Sequence, residues 1–126
     1  GAMFGEAVVF SGMKAPKYFF TNVKRHGALL AKGRMLGIQF DTLFTDELYF
    51  KISKHAINMA AGIRKIFAKH NIPLAYDSPT NQQFVILSPT LYQALSKLVA
   101  IEIWEKKNEQ EIVCRFVTSW ATKEEE

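Results

Sequence analysis

The sequence predicts an α+β (mixed) fold, and three observations lead to this class. Apolar residues recur at steps of three or four between residues 45 and 70, as they do on one face of an amphipathic helix. Residues 83–87 follow the turn sequence Ser-Pro-Thr-Asn and predict a strand, and residues 111–120 predict another. From residue 43 onward the order is helix, strand, strand, helix, strand, so we expect a short antiparallel sheet covered on one side by helices.

The first third of the chain predicts one strand and two helices. Three consecutive apolar residues within 6–10 predict a short strand that is buried on both faces. Pro16 fits the first turn of a helix over residues 17–25. Gly27 interrupts the pattern, and a second helix is expected over residues 28–44.

The long central helix has recognisable signals at both ends. Thr45 is a favourable N-cap, and the carboxylates of Asp46 and Glu47 would interact well with the positive end of the helix dipole. Asn71, followed by Pro73, predicts the end of the helix. Its lysines and arginines fall off the apolar stripe and predict a solvated face. The stripe consists of Leu48, Ile52, Ala56, Met59, Ile63, Ile66 and Phe67.

The remaining elements complete the predicted sheet. Residues 73–76 would form a hairpin with the strand at 83–87. Ser88 is a second N-cap, and Pro89 fits the first position of a helix that extends to about residue 107. The strand at 111–120 is the last element.

Composition excludes several classes of protein. The chain has 126 residues, a formal net charge of +4 and one cysteine. A single cysteine excludes an internal disulfide and a cysteine-based metal site, and it fits a reducing compartment such as the cytoplasm. No apolar run approaches the roughly 18 residues of a membrane span, and the first ten residues lack the basic start of a secretory signal. We therefore expect no membrane association.

Three stretches of sequence, taken in their order, carry a family resemblance. Residues 5–10 are Gly-Glu-Ala-Val-Val-Phe, residues 27–34 are Gly-Ala-Leu-Leu-Ala-Lys-Gly-Arg, and residues 115–122 are Arg-Phe-Val-Thr-Ser-Trp-Ala-Thr. Together they resemble the threonine aldolase branch of the β-eliminating lyases. These are pyridoxal 5'-phosphate (PLP) enzymes of the aspartate-aminotransferase fold. The resemblance spans nearly the whole chain.

This resemblance implies an organisation and a reaction. In the family the Schiff-base lysine precedes a segment like residues 1–10, so the chain would be the C-terminal portion of such an enzyme and inactive alone. Residues 1–42 would be a remnant of the large PLP-binding domain with a connecting helix, and residues 43–126 the small C-terminal domain. The complete enzyme would cleave a β-hydroxy-α-amino acid, such as threonine or allo-threonine, into glycine and an aldehyde. It would be a cytoplasmic dimer or tetramer.

Arg115 is the candidate substrate-binding residue. Alternation along a strand places it on the same face as Val113 and Val117, and a guanidinium beside apolar neighbours needs an anion. Its planar fork matches a carboxylate. The pattern alone also allows an arginine on an edge strand, with its head in solvent or paired to a nearby glutamate. The family resemblance implies that Arg115 binds the α-carboxylate of the amino-acid substrate.

Lys24 and Lys32 are the candidate cofactor-binding residues. The family has basic residues in this glycine-rich stretch near the cofactor phosphate or the substrate carboxylate. Lys24 keeps the family's spacing, three residues before Gly27, whereas many relatives have arginine at the position of Lys32. Solvated lysines are the alternative at both positions.

The other chemical groups give weaker signals. His26, His55 and His70 are 29 and 15 residues apart, which does not predict a metal site. The alternative function is a small basic ferredoxin-like module that binds nucleic acid or another protein, since strand, helix, strand, strand, helix, strand describes that fold too. The aromatic and glycine pattern of RNA-recognition strands does not occur, so we do not expect nucleic acid as a partner.

Overall fold

A computed structural model of the chain describes residues 2–12 and 14–125. Helices and a three-stranded antiparallel sheet are both present, so the predicted α+β class is confirmed. The chain divides into two compact units, Gly1–Tyr49 and Phe50–Glu126. The elements in chain order are α1 (Phe19–Arg25), α2 (Arg34–Phe44), α3 (Leu48–Lys69), β1 (Gln82–Leu87), α4 (Pro89–Leu95), β2 (Glu102–Lys106) and β3 (Ile112–Val117).

Both helices of the first unit begin later than predicted. Tyr18, immediately before α1, has a left-handed backbone (φ 66°), which is incompatible with the inside of a helix. α1 ends at Arg25, and Gly27 beyond its C-cap has a left-handed backbone (φ 72°). The N–H of Gly27 donates to the carbonyl of Lys24, and the N–H of Ala28 donates to the carbonyl of Val23. This pair of bonds is a Schellman motif, which ends a helix. The break between α1 and α2 is therefore longer than the single residue Gly27 that the sequence indicated.

The strand predicted at residues 6–10 is not formed. A strand needs a neighbour to satisfy its backbone groups, and no described residue pairs with this segment. Its side chains are largely exposed, Val9 to 84%. The preceding residues are held instead by an amide side chain. Gln39 accepts from the N–H of Met3 at 2.8 Å and donates to the carbonyl of Phe4 at 2.6 Å.

The N-terminal signal of the long helix was misassigned. Thr45 caps the end of α2, and its hydroxyl donates to the carbonyl of Asp41 at 2.8 Å. Asp46 and Glu47 have left-handed backbones, with φ of 49° and 59°. Such residues cannot continue a right-handed helix, so α3 begins only at Leu48. The predicted end is confirmed.

The sheet has the order β1-β3-β2, with all neighbours antiparallel. β3 is therefore the central strand. Residues 102–106 form the edge strand β2, so the prediction that one helix extends from Pro89 to about residue 107 is wrong. α4 ends at Leu95, and the segment after it pairs with β3 instead.

The predicted hairpin is formed only in part. Residues 73–76 contribute a single bridge between Leu74 and Val85. Two backbone bonds surround it, from the Ala75 N–H to the Phe84 carbonyl at 2.8 Å and from the Ile86 N–H to the Pro73 carbonyl at 2.9 Å. Since Pro73 has no N–H to donate, this segment cannot continue as a regular strand. With three described strands, the second unit also lacks the four-stranded order of a ferredoxin-like module.

The core lies between the sheet and helices α3 and α4. Half-buried side chains from both helices pack against a centre of five buried residues. These five are Phe67, Val85, Leu87, Ile112 and Cys114. Phe67 of α3 meets Phe116 of β3 edge to face, with ring centroids 5.1 Å apart. Burial raises the pKa of the Cys114 thiol, because the thiolate would lose its hydration. The core thus covers one face of the sheet.

The capping prediction at Ser88 is confirmed and can be tested by mutation. The Ser88 hydroxyl oxygen accepts from the N–H of Leu91 at 3.2 Å, and Pro89 follows at the first helical position. Ser88→Ala should lower the free energy of unfolding by about 1 kcal/mol, measured by urea denaturation. Ser96→Ala is the control, because Ser96 lies at the C-terminal end of α4 and caps no N–H group. Equal losses in both variants would contradict the assignment.

Candidate functional site

The face of the sheet opposite the core carries one cation among aromatic rings. Tyr76, Phe84 and Trp104 form a row, with ring centroids 5.5 Å apart for the first pair and 5.2 Å for the second. The Arg115 guanidinium lies over the Trp104 ring, 5.1 Å from its centroid. Because alternate residues of a strand point to opposite faces, Arg115 projects here while Cys114 and Phe116 enter the core.

Arg115 is held from both neighbouring strands. Its Nη1 donates to Gln82 Oε1 of β1 at 3.0 Å, and its Nη2 donates to the Glu102 carboxylate of β2. In the strand register Arg115 is directly opposite Phe84 on one side and Glu102 on the other. Its side chain is 26% exposed. Two partners and the aromatic contact therefore fix the guanidinium in one position.

The guanidinium retains unused donors. An arginine side chain has five N–H groups, and the two bonds to Gln82 and Glu102 use one on each terminal nitrogen. Three N–H groups remain. One is on Nε, which is buried and has no hydrogen-bond partner, and one is on each terminal nitrogen. A pocket of about 310 Å³ borders this group, lined by Ala100, Ile101, Glu102, Arg115 and Val117. The site therefore combines a pocket with a cation that has unused hydrogen-bond donors.

The alternative interpretation of Arg115, an edge-strand arginine paired to a nearby glutamate, is correct in part. The arginine is paired with a glutamate, as that alternative allowed, but it lies on the central strand and not on an edge. Its positive charge is thus balanced by Glu102 without a ligand. The substrate-binding role of Arg115 stays a prediction that the geometry permits.

A second carboxylate lies further along β2. Glu105 Oε2 accepts from the Tyr76 hydroxyl at 3.2 Å. This hydrogen bond raises the pKa of the Tyr76 phenol, because the phenol is the donor and loses the bond on ionisation. Glu102 and Glu105 therefore have different partners on the same strand, which provides a matched pair for mutation.

Three residues around Arg115 were missed by sequence reasoning. Gln82, Glu102 and Trp104 come from strands that are distant in sequence and adjacent only in the folded sheet. Two of them lie in the segment that was predicted as helix. The signal that was present is the sequence Glu-Ile-Trp-Glu-Lys, in which an aromatic and a β-branched residue favour a strand.

The two lysines predicted to bind the cofactor lie in the first unit. Lys24 is in the last turn of α1, where a cation interacts favourably with the negative end of the helix dipole. Lys32 is in the turn that precedes α2. Both side chains are exposed. Their contact with a phosphate stays a prediction.

The histidines do not converge. His26 is the C-cap of α1, and His55 Nε2 lies 2.8 Å from the Thr122 carbonyl oxygen, which it can bond only as the donor. Over residues 2–12 and 14–125 no three His, Cys, Asp or Glu side chains come close enough to hold a metal ion. Nor does any helix in that part of the chain have the length and apolar character needed to cross a membrane.

Buried hydrogen bonds fix the chain just beyond β3. The Thr118 hydroxyl donates to the Ala56 carbonyl of α3 at 2.7 Å, and Asn81 Nδ2 donates to the Thr118 carbonyl at 2.6 Å. Thr118 is 2% exposed. These bonds tie the end of the strand that carries Arg115 to both α3 and the turn before β1.

Comparison with known proteins identifies a relative. No family model matches the sequence, and no curated protein matches it. A solved structure of the threonine aldolase of Leishmania major does match, with a TM-score of 0.80 and 37% sequence identity over 84% of this chain. The chain resembles part of a threonine aldolase. It spans 31% of the length of that enzyme, which fits the predicted correspondence to a C-terminal portion.

Proposed function

We propose that this chain is the C-terminal portion of a PLP-dependent lyase. The enzyme would cleave β-hydroxy-α-amino acids, such as threonine and allo-threonine, into glycine and an aldehyde. The observation that carries the proposal is the match to a threonine aldolase at 37% identity and a TM-score of 0.80. We place the enzyme in the cytoplasm, which is consistent with the unpaired Cys114.

In this proposal Arg115 binds and orients the substrate. Its free terminal N–H groups would receive the α-carboxylate from the adjacent pocket, while Gln82 and Glu102 keep the guanidinium in place. A fixed donor pair holds the substrate in one orientation, which raises the rate because less freedom is lost on reaching the transition state. Since β3 is the central strand, β1 and β2 support Arg115 from both sides.

The residues described here do not by themselves fit PLP. Lys24 and Lys32 are exposed, and the pocket of about 470 Å³ in their unit is lined by mainly apolar residues that include neither lysine. Most contacts to the cofactor would therefore come from the rest of the enzyme. When bound, PLP supplies the electron sink for cleavage between Cα and Cβ.

The proposed reaction can be tested directly. A complete enzyme that contains this chain, incubated with PLP and threonine or allo-threonine, should release glycine and acetaldehyde in equal amounts. The 126-residue chain alone should release neither and should retain no PLP after dialysis. If the complete enzyme formed no glycine from any β-hydroxy-α-amino acid tested, the proposal would be wrong. Stable labelling of one lysine in the isolated chain would show that the cofactor lysine had been misplaced.

We also propose that the chain forms a homo-oligomer, a dimer or a tetramer. Several large apolar side chains of the first unit are exposed, among them Leu30 at 52% and Met35 at 68%. Exposed apolar surface of this kind favours association. Light scattering at high micromolar concentration should show a mass of at least a dimer, and Met35→Glu should lower it. Leu98→Glu, in the second unit and also exposed, is the control. A monomer at that concentration would contradict the prediction.

A further inference from the structure

Glu102 shares the wall of the pocket with Arg115. The two residues are direct partners in the register of β2 and β3, and the carboxylate accepts a hydrogen bond from Nη2. The other residues that line the pocket are apolar: Ala100, Ile101 and Val117. A ligand in this pocket therefore meets one cation and one anion that lie in contact.

This pairing limits which anions can bind. A ligand with one carboxylate can direct it to the unused N–H groups on the terminal nitrogens of Arg115. A second carboxylate on the same small molecule would bring another negative charge into the pocket that the Glu102 carboxylate already lines. No second cation lines the pocket to offset the repulsion between them. Like charges in one pocket repel appreciably even where solvent screens part of the interaction, and the Glu102 side chain is 54% exposed.

We propose that Glu102 is a specificity-determining residue that restricts the Arg115 site to ligands with a single carboxylate and a neutral side chain. The identity of the ligand as a β-hydroxy-α-amino acid rests on the proposed function. The restriction itself rests on the contact between Arg115 and Glu102. Glu102 acts by excluding the wrong ligand and takes no part in bond cleavage.

The test compares two ligands that differ only at the β-carbon, threonine with a methyl group and 3-hydroxyaspartate with a carboxylate. Binding to the 126-residue chain is followed by the ¹H–¹⁵N signals of the Arg115 Nε–H and the Trp104 indole N–H, since both groups adjoin the site. The wild-type chain should prefer threonine by about tenfold. Glu102→Gln keeps an acceptor for Arg115 but removes the charge, so the preference should fall to about twofold or less.

Two further variants separate charge from structure. Glu105→Gln removes a carboxylate from the same strand that bonds Tyr76 and not Arg115, so it should keep the wild-type preference. Glu102→Asp keeps the charge and should also retain it. A structural role of Glu102 would instead weaken both ligands equally in Glu102→Gln, leaving the ratio unchanged, and that result would overturn the inference. So would the absence of any signal change at Arg115 with either ligand.

The outcome is independent of the test of the proposed reaction. If the complete enzyme forms glycine but the ligand preference is unaffected by Glu102→Gln, the inference about Glu102 is wrong and the proposed function stands. If the preference depends on Glu102 but no glycine is formed, the pocket selects monocarboxylates for another purpose and the proposed reaction is wrong.

Discussion

In a complete enzyme that contains this chain, Arg115→Ala is expected to lower kcat/KM roughly 30- to 1,000-fold. This corresponds to a rise of about 2–4 kcal/mol in the activation free energy. The variant loses both the charge and the donors that would hold the substrate carboxylate. The kcat/KM of Arg115→Lys should lie between those of the Ala variant and the wild type, because an ammonium keeps the charge but cannot make the paired bonds of the planar guanidinium. The measurement is steady-state release of glycine from threonine.

Arg64→Ala is the matched control for this experiment. Arg64 also pairs with a carboxylate, at 2.8 Å from Asp77, but it lies on α3 and does not line the pocket beside Arg115. Its loss should change kcat/KM less than threefold, since an exposed ion pair contributes little. PLP content should be unchanged in all variants. If Arg115→Ala instead lost its cofactor or failed to fold, with normal kcat/KM per folded site, Arg115 would be a structural residue.

Leu87→Ala should produce a large loss of stability. Leu87 is 1% exposed, at the end of β1 and within the central cluster. Truncation removes buried methyl groups and leaves a cavity, so the free energy of unfolding should fall by about 2–5 kcal/mol. Urea denaturation followed by circular dichroism measures this difference.

Leu98→Ala is the control for the core substitution, because Leu98 is 81% exposed. Its free energy of unfolding should change by less than about 0.5 kcal/mol. Similar losses in the two variants would mean that the cluster around Leu87 is not packed as described. A large loss in Leu98→Ala alone would contradict the exposed position of that side chain.

Local signals in the sequence predicted some elements well and failed at others for identifiable reasons. The periodic apolar stripe indicated α3, and Ser88 with Pro89 indicated the start of α4. β2 was missed because all its residues are exposed, so it has no alternation of buried and exposed positions to reveal it. The strand expected at residues 6–10 was wrong because a strand depends on a neighbour that sequence alone does not supply.

The candidate site was predictable at one residue only. The alternation along β3 and the family resemblance both indicated Arg115. Its partners Gln82 and Glu102 are separated from it by 33 and 13 residues, and they meet it only through the register of the sheet. The kink at Asp46 and Glu47 was also unpredictable, since these residues favour a helix start by composition and adopt left-handed backbones here.

The position of β2 at the edge of the sheet has a consequence for the behaviour of the chain in solution. β1 has a bridge to Leu74 on its outer side, whereas β2 has β3 as its only described neighbour. The outer backbone groups of such a strand can recruit a strand from a second molecule and start aggregation. Glu102, Glu105 and Lys106 place charges along this strand. Charged side chains at an edge discourage that pairing, so Glu102, which lines the pocket, also helps to protect the sheet from growing beyond its three described strands.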